Sequence, residues 1–239
     1  MSMSNEIIAI SGLKGSGKNE VSNMLHFLLT VPKWMRCYWI YKLNFRWEKK
    51  WHVTSFASTL KLMLSSLLKV PVYKFEDRDF KENYCIDFNS MKIIHKKDVP
   101  KDKLLSDHKF SKLNILADSI YNNYYLTIRQ LMQSFGTQLM RTYFGDDIWI
   151  KSTLTSYFDN NLIISDLRFK IEYEHIKKCG GKIIYINRPE CVPGNHASER
   201  EVIELLSDNK FDYVVDNSED LPTLFDNLKE VVWDLEKQH

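Results

Sequence analysis

Residues 7–25 read IIAISGLKGSGKNEVSNML, and the interpretation of this stretch decides the fold. Ile7–Ile10 has the composition of a short buried strand, while Val21, Met24, Leu25 and Leu28 recur at the spacing of one helical face. Between them Gly12, Gly17 and Lys18 match G-x-x-x-x-G-K-[ST], except that Asn19 stands where the pattern has a hydroxyl. A glycine-rich turn from strand to helix presents successive backbone N–H groups to phosphate oxygens. The helix dipole favours the anion, and the lysine reaches the outer phosphates. The flanking strand and helix separate such a loop from a surface Gly/Ser turn. Gly12, Leu13, Lys14, Gly15, Ser16, Gly17, Lys18, Asn19 and Glu20 are accordingly expected to line a nucleotide phosphate site.

The alternation continues along the chain. Val53–Ala57, Asn161–Ser165, Lys182–Pro189 and Asp212–Asn217 read as further strands. Helical patterns separate them, among them STLKLMLSSLLKV and Thr127–Phe144, which carries Ile128, Leu131, Met132, Phe135 and Leu139 on one face. Strands spaced by helices predict a parallel sheet covered on both faces, an α/β fold of three α/β/α layers over residues 1–239. Asp166 follows the apolar strand Asn161–Ser165, which puts a carboxylate at the carboxyl edge of the sheet, where ligands bind in open α/β folds. With Asn19 it is the candidate oxygen ligand for a Mg²⁺ held mainly by nucleotide phosphates. Capping the next helix is the alternative for Asp166.

Two stretches interrupt the rhythm. Lys33–Trp51 holds seven aromatics and six cations in nineteen residues, a mixture that suits single-stranded nucleic acid. Trp39, Tyr41, Leu43, Phe45 and Trp47 nevertheless alternate with other residues, so 34–51 is expected to be a half-buried hairpin. Residues 72–125 have weak periodicity and read as an insertion of a short helix and loops.

A net charge of +2 gives little attraction for polynucleotides or acidic membranes. The four cysteines are widely spaced with no C-x-x-C pair, which argues against zinc and fits free thiols in a reducing compartment. No apolar run nears the ~20 residues of a membrane span, and no cationic leader precedes an apolar stretch. A cytoplasmic protein without membrane or nucleic-acid partners is expected.

Several segments together resemble the bacteriophage-type deoxynucleoside monophosphate kinases, a P-loop family that phosphorylates dNMPs with ATP. GLKGSGKN resembles that family's loop, where an acid or amide often follows the lysine. SFASTLK (55–61) and FEDRDFKE (75–82) are similar to its substrate-side segments. The most specific match is IRQLMQSFGTQLMRTYFGDDIWIK (128–151). SDLRFKIEYEHI matches its D-x-R-x-x-x-E pattern, and INRP followed by NHASE resembles its lid, which the resemblance implies over 189–210. The resemblance fails over 33–50 and is thin over 87–125, and Glu20 departs from the usual Thr.

The resemblance implies ATP and Mg²⁺ as cofactors and a nucleoside monophosphate acceptor, in host cytoplasm if the chain is viral. It implies Lys18, Asp166 and Arg188 as the catalytic set, with Arg188 descending from the lid. Lys61, Arg78, Arg129, Gln133, Gly136, Thr137, Trp149, Asp166, Arg168 and Glu172 are its implied acceptor contacts. Bland readings stay open for several. Trp149 suits a core as well as a base, Gly136 suits helix packing as well as a nucleobase, and Gln133 and Glu172 suit a helix surface. Ser198 with Glu201 forms a capping box. Another small-molecule P-loop kinase, or a nucleic-acid-stimulated P-loop NTPase, is the competing function. A homodimer is compatible with the sequence.

Overall fold

The computed structural model describes residues 5–43, 51–105, 124–157, 159–194 and 197–238. They fall into two compact units, one of 1–56 with 150–239 and one of 57–149. The second is larger than the 72–125 insertion expected from sequence.

The first unit is built on five parallel strands in the order Trp51–Thr54, Asn161–Leu167, Ile7–Gly12, Lys182–Asn187, Tyr213–Asp216. Ile8, Ile10, Ile163, Ile184, Ile186 and Val215 face the buried stripes of helices Lys18–Thr30 and Leu221–Lys237, which supply Met24, Leu25, Leu28, Leu224, Phe225 and Val232. Alternate residues Ala9, Leu162, Ile164, Ile183 and Tyr185 are buried as well, on the opposite face, as strand pleating requires of a sheet covered on both sides. Each of the five expected strands is present. The ends that carry Gly12, Asp166 and Asn187 therefore lie at one edge of the sheet.

The basic-aromatic stretch differs from the hairpin expected of it. Tyr38–Lys42 is a short helix, and 44–50 lie outside the described residues. Tyr38 and Tyr41, three residues apart, both pack on Phe225 at 5.9 Å between ring centroids, and Tyr41 meets Phe27 at 5.6 Å. Trp39, expected on a buried face, is 71% exposed. A period of two and a period of three and a half agree over so few residues, and the aromatic surface of Phe27 and Phe225 decided between them. Arg36 and Lys33 both reach Glu236, at 2.6 and 2.9 Å, and fasten the segment to the last helix.

In the second unit Tyr84–Asp87 pairs antiparallel with Lys92–His95 and with Leu126–Thr127, a small sheet that the weak periodicity of this region did not announce. Thr127 and Gln130 form a reciprocal capping box that starts the helix Ile128–Gln133. The helix continues with π winding through Ser134–Arg141, a local widening that recurs at functional sites. All four cysteines are free, and no described helix is long and apolar enough to cross a membrane.

Candidate active site

The loop after the first strand has the shape its glycines demand. Gly17 caps the helix at φ 92°, and a Cβ there would lie 2.8 Å from the Asn217 amide nitrogen. Gly12, at φ 150°, has no room either: a Cβ would meet Ser16 Oγ at 2.6 Å and the Ile186 carbonyl at 2.9 Å. Asn217 Nδ2 donates to the Ser16 carbonyl at 2.9 Å, so the last strand's end braces the loop from 201 residues away. Ser16 Oγ is buried and has no partner.

Lys18 Nζ donates to the carbonyls of Gly12 and Leu13 at 2.8 and 2.7 Å, closing the loop on itself. Burial, and then the Arg168 guanidinium, lower its pKa from 10.5 to about 8, against smaller opposing pulls from Asp166, Cys191 and Glu199. Burial is thus the larger cost to the charged ammonium and Arg168 adds to it, a cost that a bound anion would offset.

The parallel register slips between Ala9–Ile164 and Ser11–Leu167, so Ser165 and Asp166 together oppose Ile10. Such a bulge re-aims a side chain beside a site. Asp166 Oδ1 accepts the Phe56 N–H at 2.8 Å, and Ser165 Oγ donates to the Thr54 carbonyl at 3.2 Å. Asn19 is exposed on the first turn of its helix. Among the described residues no group of three or more His, Cys, Asp or Glu side chains gathers to hold a metal unaided.

Three loop-side residues have other work. Glu172 is 3% exposed and accepts the N–H groups of Arg168 at 2.8 Å and Phe169 at 3.1 Å, so it caps its own helix. Glu20 accepts from Tyr41 Oη at 3.1 Å, and Lys42 Nζ lies 4.0 Å from it; burial and then Glu20 push the Tyr41 phenol well up. The carboxylate thereby ties the phosphate-loop helix to the aromatic segment. Arg188 Nε pairs with Glu190 at 3.1 Å and is turned to solvent. His196 and the Ser198 side chain lie outside the described residues.

The second unit gathers cations. Lys61 pairs with Glu76 at 2.7 Å and Arg129 Nε with Glu82 at 2.7 Å. Lys81 stands among them, its pKa lowered first by burial and then by Arg129, with Lys61 adding to the repulsion. The sequence reading passed over Lys81; its signal was the FKE triplet, one residue before the partner of Arg129. Arg78 is exposed one turn earlier on the same helix. Trp149 is buried and its indole N–H donates to the Gly136 carbonyl at 2.9 Å, as suits the core reading of this residue. A Cβ on Gly136 would stand 2.8 Å from Leu60 Cδ2, so helix packing accounts for that glycine. Gln133 is half-buried and Thr137 exposed on the same helix.

The model of the family described as deoxynucleotide monophosphate kinase matches residues 70–228, more than half of the chain. The chain belongs to the deoxynucleotide monophosphate kinase family. The match begins beyond the phosphate loop, so the nucleotide reading of that loop rests on its own geometry. A protein of Acanthamoeba polyphaga mimivirus, provisionally named a deoxynucleotide monophosphate kinase, is 27% identical over 117 residues, which are 43% of this chain and 59% of that protein. Among solved structures, a plasmid partition protein from Borrelia burgdorferi aligns over 96% of this chain and 99% of its own at 14% identity and a TM-score of 0.32. A second from that organism, bound to AMPPNP, aligns over 97% and 99% at the same identity and score. Likeness of that degree carries no functional weight.

Proposed function

We propose that this family member transfers the γ-phosphoryl group of ATP to a deoxynucleoside monophosphate, giving ADP and the deoxynucleoside diphosphate. The observation that supports the reading is Lys18, a largely buried ammonium held by the Gly12 and Leu13 carbonyls at the mouth of a glycine loop, its pKa lowered to about 8 by burial and then by Arg168. Phosphoryl transfer asks the protein for alignment and charge neutralisation more than for covalent chemistry.

In this reading Lys18 leaves the Gly12 and Leu13 carbonyls for the outer phosphates of ATP, and the first-turn amides hold the rest. An acceptor phosphate oxygen attacks the γ-phosphorus, and the bond to the bridging oxygen of ADP breaks. Lys61, Lys81 and Arg129 neutralise the acceptor phosphate, and Arg168 steadies the moving phosphoryl group. Arg188 joins it after leaving Glu190. Gln133, with donor and acceptor on one amide, reads the base edge, with Thr137 one turn further on. Mg²⁺, when bound, supplies charge neutralisation between phosphates; Asp166 and Asn19 would hold it, with phosphates and water as its other ligands.

The test is a panel of dNMPs and NMPs incubated with Mg-ATP, with diphosphate product separated from free phosphate. Diphosphate formed from a dNMP supports the reading. Phosphate release that rises only with added polynucleotide overturns it.

A further inference from the structure

The phosphate loop of this structure already holds an anion of its own. Glu199, on the first turn of the helix Ala197–Ser207, accepts the N–H of Lys14 through Oε1 at 3.3 Å. Its Oε2 accepts the N–H of Gly194. Lys14 lies inside the glycine loop, so that amide is one of the donors a polyphosphate needs. The same carboxylate is among the charges acting on Lys18. Gly194 admits this seat because it lacks a side chain: a Cβ there would stand 2.7 Å from Glu199 Oε2.

We infer that Glu199 is an internal competitor for the donor phosphates, occupying a loop amide in the nucleotide-free protein and yielding it when the triphosphate arrives. This rests on the donor reading of the loop. A carboxylate imitates a phosphate in being an anion with paired acceptor oxygens, and it satisfies an amide that would otherwise face the loop alone. It imitates incompletely. Lys18 keeps to the Gly12 and Leu13 carbonyls at 2.8 and 2.7 Å and forms no ion pair with Glu199. A triphosphate, with more charge and more oxygens, takes both the amide and the ammonium, whereas a weaker anion gains little by displacing Glu199. The exchange also ties filling of the loop to release of the Gly194 amide.

Calorimetric titration of the full chain with inorganic tripolyphosphate and with ATP tests this, in the wild type, Glu199→Ala and Glu199→Gln. Both variants are expected to bind either probe about five- to tenfold more tightly, the scale of one ordinary hydrogen bond. The rise in melting temperature on adding tripolyphosphate should grow accordingly, from a slightly lower starting point. If Glu199→Ala does not fold, Glu199→Gln decides, since it keeps one acceptor oxygen and loses the charge. Equal or weaker binding by the variants overturns the competitor role while leaving the donor loop intact. No binding of either probe by wild type or variants removes the donor reading, and the inference with it.

Discussion

Lys18 is the place where stability and function pull against each other, and Lys18→Met separates them. At pH 7 the ammonium is charged in both the folded and unfolded chain, yet the folded environment disfavours that charge. The drop from 10.5 to about 8 corresponds to about 3 kcal/mol. The side chain's bonds to the Gly12 and Leu13 carbonyls, at 2.8 and 2.7 Å, return about 1 kcal/mol each. Methionine removes the penalty and the bonds alike and keeps the length, so the ligand-free variant should be about 1 kcal/mol more stable at pH 7. The sign of the pH dependence follows from linkage. Between pH 8 and 10.5 the unfolded chain holds the proton that the folded chain has released, so wild-type stability rises with pH across that window. The groups facing Lys18 there are Arg168, Asp166, Cys191 and Glu199. Urea unfolding of both proteins at half-unit steps from pH 7 to 10.5, read as a difference, cancels every titration they share. The advantage of the variant should vanish and reverse, changing by about 3 kcal/mol over the window, while ATP binding is lost at all pH values. A variant less stable than wild type at pH 7, or a difference flat in pH, would refute the claim that Lys18 is held charged against its surroundings.

Trp149→Phe leaves the Gly136 carbonyl without its donor, so stability should fall by about 1–3 kcal/mol in urea unfolding while the KM for the acceptor is unchanged. A raised KM with unaltered stability would restore the base-stacking role. If Lys81 neutralises the acceptor phosphate as proposed, Lys81→Gln should raise the KM for the acceptor about 10- to 100-fold in steady-state assays without altering ATP affinity. Gly17→Ala forces a Cβ to 2.8 Å from Asn217 Nδ2 at φ 92°, so it should cost about 1–3 kcal/mol in thermal unfolding and weaken ATP binding at the same time.

Some roles were legible before any coordinates because they are local. A strand, a glycine turn and a helix are contiguous, and the conformation of Gly17 follows from the loop's own geometry. The five parallel strands were likewise readable from apolar runs spaced by helical patterns. The helix over Tyr38–Lys42 was not readable, since five residues match two periods equally well until Phe27 and Phe225 are brought beneath them. Glu172 read as an acceptor contact or a surface carboxylate, and its 3% exposure was not readable because its spacing from Asp166 says nothing about burial.

What the chain alone determined, then, was the sheet, the phosphate loop and the segments from which site residues come, because hydrophobic period and glycine placement act over neighbouring residues. Tertiary structure decided which of those residues are spent on the protein itself. Trp149 is committed to the Gly136 carbonyl, Glu172 to its helix start and Glu20 to Tyr41, whereas Lys81 is drawn into a cationic group. Those assignments depend on hydrogen-bond partners and charges brought close from distant parts of the sequence, and on the cost of burying them, neither of which any local spacing records.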